Sequence, residues 1–490
     1  MNSKISDSLN ALFYPKNLAI YEASEKLWYF LMGLEELQFN KNKLYLISPN
    51  KEEITGIKCY KSLKDVPEKS IDHLILSVGR NRILESVKML LSQKEIKSMH
   101  IFTAGMGESD KEGEKIEKEL HSLLKNNNNN NNTRAIGPNC MGVYSTKGHL
   151  AYEPLFPKEP GNISLVFQSG DLHSQMIRLS SIRHNLRFSK GVSVGNCLDL
   201  QIADFLEYYN TDKETELILV YFEGFNSLYP NEGKRLLNIL KNMNKPVLFM
   251  NGGGTERSQT AALSHTGSIG TSQKIWKAIY RQTPIIEVPT CLDDMIDYTY
   301  LFSNVIDRYK RNDKIITYPK GKNSLIILWS GGFGISATNT LTQMGINVPL
   351  IEGKSLEELR EIYPVKIGSL SNPIDLPWIS SSDKYLKVAL KAITEDTNLV
   401  MILTDAWEDF EGKDRFQSYY NNLKSIRDHT ESMDNIFTLI LPYYPARRRR
   451  RYYNKLMEDK LIVYPSFRRA AKAFSALYEY GRKIEVLRKE

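Results

Sequence analysis

Short apolar, β-branched runs recur along the chain and mostly end in small or turn-forming residues: LAIYEAS, KLYLISP, HLILSVG, SMHIFTAG, ISLVFQSG, ELILVYFEG, PVLFMNGG, SLIILWSGG, LVMILTDAW and FTLILPYY. Helical stretches separate them, so β and α alternate. The runs are continuous in apolar residues, as a strand covered on both faces requires. An α/β chain with parallel sheets and helices on either side is therefore expected. In such folds ligands collect beyond the carboxyl ends of the strands, and functional residues are sought in those loops.

At 490 residues the chain is too long for a single core. Two interruptions divide it. PLFPKEPG, from Pro154 to Gly161, sets prolines and glycine ahead of a new strand, and a polar, charged stretch, DRYKRNDKIITYPKGKN, precedes SLIILWS. Three consecutive α/β domains are expected, over residues 1–153, 154–319 and 320–490. The Asn tract from Asn126 to Asn132 has no apolar period and reads as a disordered surface insertion between a helix and the strand leading to GPNC.

Hydrophobic residues make up 41% and charged residues 25%, which excludes collagenous, wholly disordered and membrane-spanning classes. No run of about 18 uncharged apolar residues occurs. The opening MNSKISDSLN lacks the apolar core of a secretory signal, so a cytoplasmic location is expected. Cys59, Cys140, Cys197 and Cys291 form no CxxC pair, and neither a disulfide framework nor a metal site is implied. The net charge of +8 is spread along the chain, and the basic run from Arg447 to Arg451 reads as a solvated helix face, so nucleic acid is not an expected partner.

ISLVFQSGDL and LIILWSGGFG open alike, with a strand running through small residues into a helix. Backbone N–H groups at such a helix N-terminus, aided by the macrodipole, suit an anion such as phosphate. Tight strand-to-helix packing demands the same small residues, so these loops alone leave both readings open. The segment NGGGTERSQTAALSHTGSIGTS, residues 251–272, places His265 among small residues after a strand. A neutral imidazole there can attack phosphorus, provided that something holds the proton on its other nitrogen. Glu223, at the end of LILVYFEGF, is the candidate carboxylate.

GPNCMG, VFQSG, VSVGN, the strand-end EG and SHTG, in this order, resemble the alpha subunits of ADP-forming acetate-CoA ligases, members of the NDP-forming acyl-CoA synthetases and more distant relatives of succinyl-CoA synthetase. SGGFG, SNPIDL and VYPSFRRAAKAFSALYEYGR extend the resemblance to nearly the whole chain. It implies an N-terminal Rossmann-like CoA-binding domain followed by two flavodoxin-like ligase domains. The implied reaction interconverts acyl-CoA, phosphate and ADP with carboxylic acid, CoA and ATP through acyl phosphate and a phosphohistidine. By resemblance His265 carries the phosphoryl group and Glu223 steadies it. Ser169, Gly170, Gly253, Gly331 and Gly332 hold phosphate, and Ser24, Ser48, Pro49, Asn50, Thr103, Gly105 and Asn139 hold CoA. No ATP-grasp segment and no GxxxxGK[ST] string is found, so the nucleotide and Mg are expected on a separate ATP-grasp beta subunit, in a hetero-oligomer or homodimer.

The chain departs from the family most clearly in IYEASEKLWYF, where Glu22 replaces a glycine and Leu27 to Phe30 are bulky. Asp171 beside the QSG loop and Arg80 after SVG also differ. These departures raise an alternative, a non-catalytic regulatory or CoA-sensing homologue. An NAD-dependent dehydrogenase is disfavoured because no GxGxxG follows the first strand.

Overall fold

The computed structural model describes residues 3–130, 133–253, 255, 257–258, 272–289, 291–404, 413–442 and 447–487. The chain divides into two compact units, Met1–Leu292 and Asp293–Glu490.

The first unit holds two sheets. One contains β1 (Leu18–Tyr21), β2 (Leu44–Ile47), β3 (Glu53–Ile54), β4 (Ile57–Tyr60), β5 (Ser70–Leu76), β6 (Glu95–Ile101) and β7 (Arg134–Ile136), in the order β3-β4-β2-β1-β5-β6-β7. All pairs are parallel except β3 with β4. From β1 the chain builds outward through β2 and then returns to β1's other side with β5, so the winding reverses between β1 and β5. In a doubly wound sheet the crevice beyond such a reversal is where ligands bind.

The second sheet contains β8 (Gly142–Ser145), β9 (Ile163–Phe167), β10 (Phe188–Ser193), β11 (Leu217–Phe222), β12 (Val247–Asn251) and β13 (Ile286–Glu287), in the order β13-β12-β11-β9-β10-β8. Only β8 runs antiparallel, against β10. Leu165, Val166, Leu219, Val220, Leu248 and Phe249 are all fully buried here, each contributing about 1.5–3 kcal/mol of transfer free energy.

The second unit has one parallel sheet of β14 (Ser324–Leu328), β15 (Ile374–Asp375), β16 (Leu399–Leu403), β17 (Ile436–Ile440) and β18 (Val463–Tyr464), ordered β15-β14-β16-β17-β18. Its core gathers Ile327, Val400, Ile402 and Leu439 with the aromatic rings of Tyr385, Tyr420 and Tyr452. The α/β expectation is met in every sheet, and each apolar run that signalled a strand contains one.

The Asn tract behaves differently from expectation. The helix Lys111–Asn130 continues into it as far as Asn130, while Asn131 and Asn132 lie outside the described residues. Leu120 and Leu124 anchor the helix on the core. Once a helix is nucleated, each added residue gains a hydrogen bond without paying for nucleation again, so even asparagines extend it.

Candidate functional site

Two motifs far apart in sequence are zipped together by backbone hydrogen bonds. Gly137 N–H donates to Val194 O at 3.2 Å, Asn196 N–H to Pro138 O at 3.0 Å and Leu198 N–H to Gly137 O at 2.9 Å. Gly195 makes this approach possible. Its φ is +55°, and a Cβ there would lie 2.2 Å from Pro138 O and 2.4 Å from Asn139 O. The zipper delivers Asn139 to the end of the first sheet, where its N–H donates to Thr103 O at 2.9 Å. The Thr103 hydroxyl in turn donates to Val78 O at 2.8 Å.

The helix Gly170–His184 starts beside this junction. Ser169 caps it, accepting at Oγ from Leu172 N–H at 3.3 Å and so satisfying one of the four first-turn N–H groups that have no partner within the helix. Gly170 is small for a packing reason as well, because a Cβ would sit 2.4 Å from Met141 Cγ. A cavity of about 580 Å³ opens between the two sheets' loops. Arg80, Thr103, Asn139 and Met141 line it from the first side, and Gln168, Ser169, Gly170 and Asp171 from the other.

Gln168, the central residue of VFQSG, organises Glu223. Its Oε1 accepts from Glu223 N–H at 2.5 Å and Gly224 N–H at 3.2 Å, and its Nε2 donates to Gly224 O at 2.9 Å. Glu223 is 6% exposed at the end of β11. Burial, together with the Glu223 carboxylate, pushes the Tyr221 hydroxyl well above its ordinary value. A second buried carboxylate, Glu117, accepts from Gly107 N–H at 2.7 Å and Asn226 Nδ2 at 3.0 Å. Burial outweighs these bonds and raises its pKa, with the nearby Glu108 charge adding to the shift. Sequence offers no signal for this group, since a glutamate on an amphipathic helix looks solvated.

Of the other anticipated residues, Gly105 has φ +90° and donates its N–H to Glu108 Oε1 at 2.7 Å. Ser24, Ser48, Pro49 and Asn50 follow β1 and β2 and are not part of the cavity lining; Ser48 N–H donates to Tyr60 O at 2.9 Å. Gly253 follows β12 and donates its N–H to Asn251 Oδ1 at 3.2 Å. His265 lies outside the described residues. In the second unit Gly331 and Gly332 begin the helix Gly331–Gln343. A Cβ at 331 would meet Asp375 Oδ2 at 3.3 Å, whereas one at 332 would meet nothing within 4 Å. Among the described residues no group of three or more His, Cys, Asp or Glu could hold a metal ion.

The bulky departure after β1 finds a structural explanation. Leu27 and Phe30 are buried, at 5% and 2% exposure, and Phe30 packs its ring against His100 and Phe102 at centroid distances of 5.8 and 5.6 Å. They contribute to the interior beneath the helix Trp28–Glu36. Glu22 has φ +55°, the left-handed backbone that a glycine adopts freely, and its carboxylate is paired with Arg82.

Comparison with known proteins gives this arrangement a lineage. Residues 24–146 match a CoA binding domain, and residues 160–302 match the succinyl-CoA ligase like flavodoxin domain. The acetate–CoA ligase [ADP-forming] II subunit alpha of Pyrococcus furiosus is 30% identical over 401 residues, covering 81% of each chain. The chain belongs to the NDP-forming acyl-CoA synthetase family. It corresponds to the family's alpha subunit: the subunit alpha of Pyrococcus furiosus ligase I is 28% identical over 97% of this chain and 98% of its own length. By contrast the chain spans 49% of the acetate–CoA ligase [ADP-forming] of Methanocaldococcus jannaschii, at 32% identity. A solved structure of Candidatus Korarchaeum cryptofilum dinucleotide forming acetyl-coenzyme A synthetase 1, in complex with phosphate and ADP, is 25% identical with a TM-score of 0.76 and 98% coverage of both chains. The regulatory alternative draws no support from these relatives, which are named as ligases and a synthetase. No described helix is long and apolar enough to cross a membrane.

Proposed function

We propose that this chain performs the thioester and phosphoryl-transfer half of acyl-CoA plus phosphate plus ADP giving carboxylic acid, CoA and ATP. The observation that carries the reading is the shared cavity, in which Thr103 and Asn139 face the N-terminus of the helix Gly170–His184 across about 580 Å³. That space suits a thioester beside a phosphate, because the Ser169–Gly170 end of the helix lines it.

In this scheme a phosphate held at Ser169 and Gly170 attacks the thioester carbonyl carbon. The C–S bond breaks, CoA leaves as thiolate and takes up a proton, and acyl phosphate remains. A ring nitrogen of His265 then attacks phosphorus and the carboxylate departs. Glu223, positioned by Gln168, accepts the proton-bearing nitrogen's hydrogen bond and offsets the cationic character of the phosphorylated ring. Gly331 and Gly332, which begin the helix Gly331–Gln343 of the second unit, are a further phosphate-binding pair, and Gly253 after β12 is another phosphate-binding residue. Most of the catalytic contribution is placement and electrostatic stabilisation, as phosphoryl transfer requires.

The phosphohistidine passes its phosphoryl group to ADP on a separate ATP-grasp beta subunit, which also holds Mg. Residues 1–153 act as the CoA-binding domain, with Ser24, Ser48, Pro49, Asn50 and Gly105 along the ligand, and 154–319 and 320–490 as ligase domains. The substrate is a small carboxylic acid or its CoA thioester, and the setting is cytoplasmic. Incubation with the beta subunit and γ-labelled ATP should leave an acid-labile, base-stable label on His265. His265→Gln should abolish it, and persistence of the label in that variant refutes the scheme. His429→Gln, at a partly exposed position of the helix Lys413–Ser432, should keep the label.

A further inference from the structure

Two ion pairs flank the end of β1, one on each side. Glu22, the first residue after β1, pairs through both carboxylate oxygens with Arg82, in the turn that follows β5; the Nη2–Oε2 contact is 2.6 Å. Glu25 pairs with Lys51, beyond the end of β2. The Glu22–Arg82 bridge spans β1 and β5, the two adjacent strands between which the winding of the sheet reverses. It therefore lies over the crevice where a doubly wound sheet binds its ligand.

The backbone at this point favours the residue that is absent. Glu22 adopts φ +55°, and a side chain there is tolerated at some cost. The cost brings a carboxylate to the place where an anionic ligand would otherwise meet the sheet. Arg82 is the matching piece: its side chain is 59% exposed and its planar fork suits a phosphate as well as a carboxylate. The neighbouring Arg80 is otherwise engaged, donating to Asp110 Oδ2 at 2.8 Å and Gly105 O at 3.1 Å. An exposed pair such as Glu22–Arg82 contributes little stability, so a dianionic ligand can displace the carboxylate without disturbing the fold.

We propose that Arg82 receives the diphosphate of the CoA ligand, and that Glu22 is a built-in surrogate anion that holds the guanidinium over the crevice and is exchanged for the diphosphate on binding. The inference rests on the CoA-binding reading above and assigns this chain's own device for it. Glu22 thereby lowers affinity for CoA while keeping Arg82 oriented, which favours product release. On exchange the Glu22 carboxylate turns into solvent, since Lys51 is already paired with Glu25.

The test is calorimetric titration of the full-length chain with CoA at low and moderate salt, using wild type, Glu22→Gln, Arg82→Gln and the double variant, each with an unchanged circular dichroism spectrum. Glu22→Gln should tighten binding about tenfold and Arg82→Gln should weaken it about tenfold, by the strength of charge-assisted contacts at a partly exposed site. The double variant should match Arg82→Gln, because the gain from removing Glu22 exists only through Arg82. Dephospho-CoA should repeat the pattern, and loss of the pattern with it would overturn the assignment to the diphosphate in favour of the 3′-phosphate. Unchanged affinity in Arg82→Gln, or weaker binding in Glu22→Gln, would overturn the exchange while leaving CoA binding intact. Absence of CoA binding in all four proteins would sink the CoA reading and the exchange with it.

Discussion

Replacing Gln168 by leucine tests whether a buried amide sets the position of the proposed phosphohistidine partner. The side chain is 2% exposed and satisfies three backbone groups, the N–H groups of Glu223 and Gly224 and the carbonyl of Gly224. Leucine is close in size but offers no partner to any of them. A buried backbone group left unsatisfied costs about 1–3 kcal/mol, so three of them give about 3–9 kcal/mol before relaxation returns a part. Because a chain of this length need not unfold in one step, local amide exchange is the better assay than a single melting curve. Protection at Glu223 and Gly224 should fall by at least tenfold, equivalent to about 1.4 kcal/mol per amide. Phosphohistidine formation should fall with it, while CoA affinity stays near that of wild type. Unchanged protection at both amides would refute the argument that Gln168 holds this strand end, and unchanged phosphorylation despite lost protection would remove Glu223's placement from the mechanism.

Gly195→Ala should destabilise the first unit by about 3 kcal/mol or more, since both its backbone angle and its 2.2 Å approach to Pro138 O forbid a Cβ; near-native thermal stability would contradict the zipper. Gly332→Ala should leave stability within about 0.5 kcal/mol, because its Cβ meets open space, yet should slow phosphoryl transfer at least tenfold if phosphate approaches this helix end. Glu117 has a raised folded-state pKa, so the native chain holds a proton that the unfolded chain has released. Stability should therefore decline as pH rises from the ordinary carboxylate range through that raised value, and Glu117→Gln should flatten the slope measured by denaturant titration at successive pH values.

The strands were legible because a doubly covered strand must be almost wholly apolar, a demand that LILVYF and LVMIL meet and that ISLVF meets apart from Ser164, whose hydroxyl is bonded to that of Thr215. Short edge strands such as β13, β15 and β18, two residues each, carry no comparable signal. β8 was equally hidden: it precedes the Pro154–Gly161 break, yet it pairs antiparallel with β10 and joins the second sheet. Motif residues Thr103, Asn139, Ser169 and Gly170 were named from sequence and meet at one cavity, whereas Gln168, Arg80 and Met141 acquire roles there only through contact.

Local chemistry determined a good deal before any contact was known. Apolar runs and small strand-end residues specify parallel α/β layers, and the ordered motifs specify a lineage, because both are properties of contiguous residues. Tertiary structure alone decided how GPNC meets VSVGN, what Gln168 binds, that Phe30 packs inward and that Glu22 is answered by Arg82. Those outcomes depend on pairs of residues distant along the chain, and chain closure, not local propensity, chooses which distant groups become neighbours.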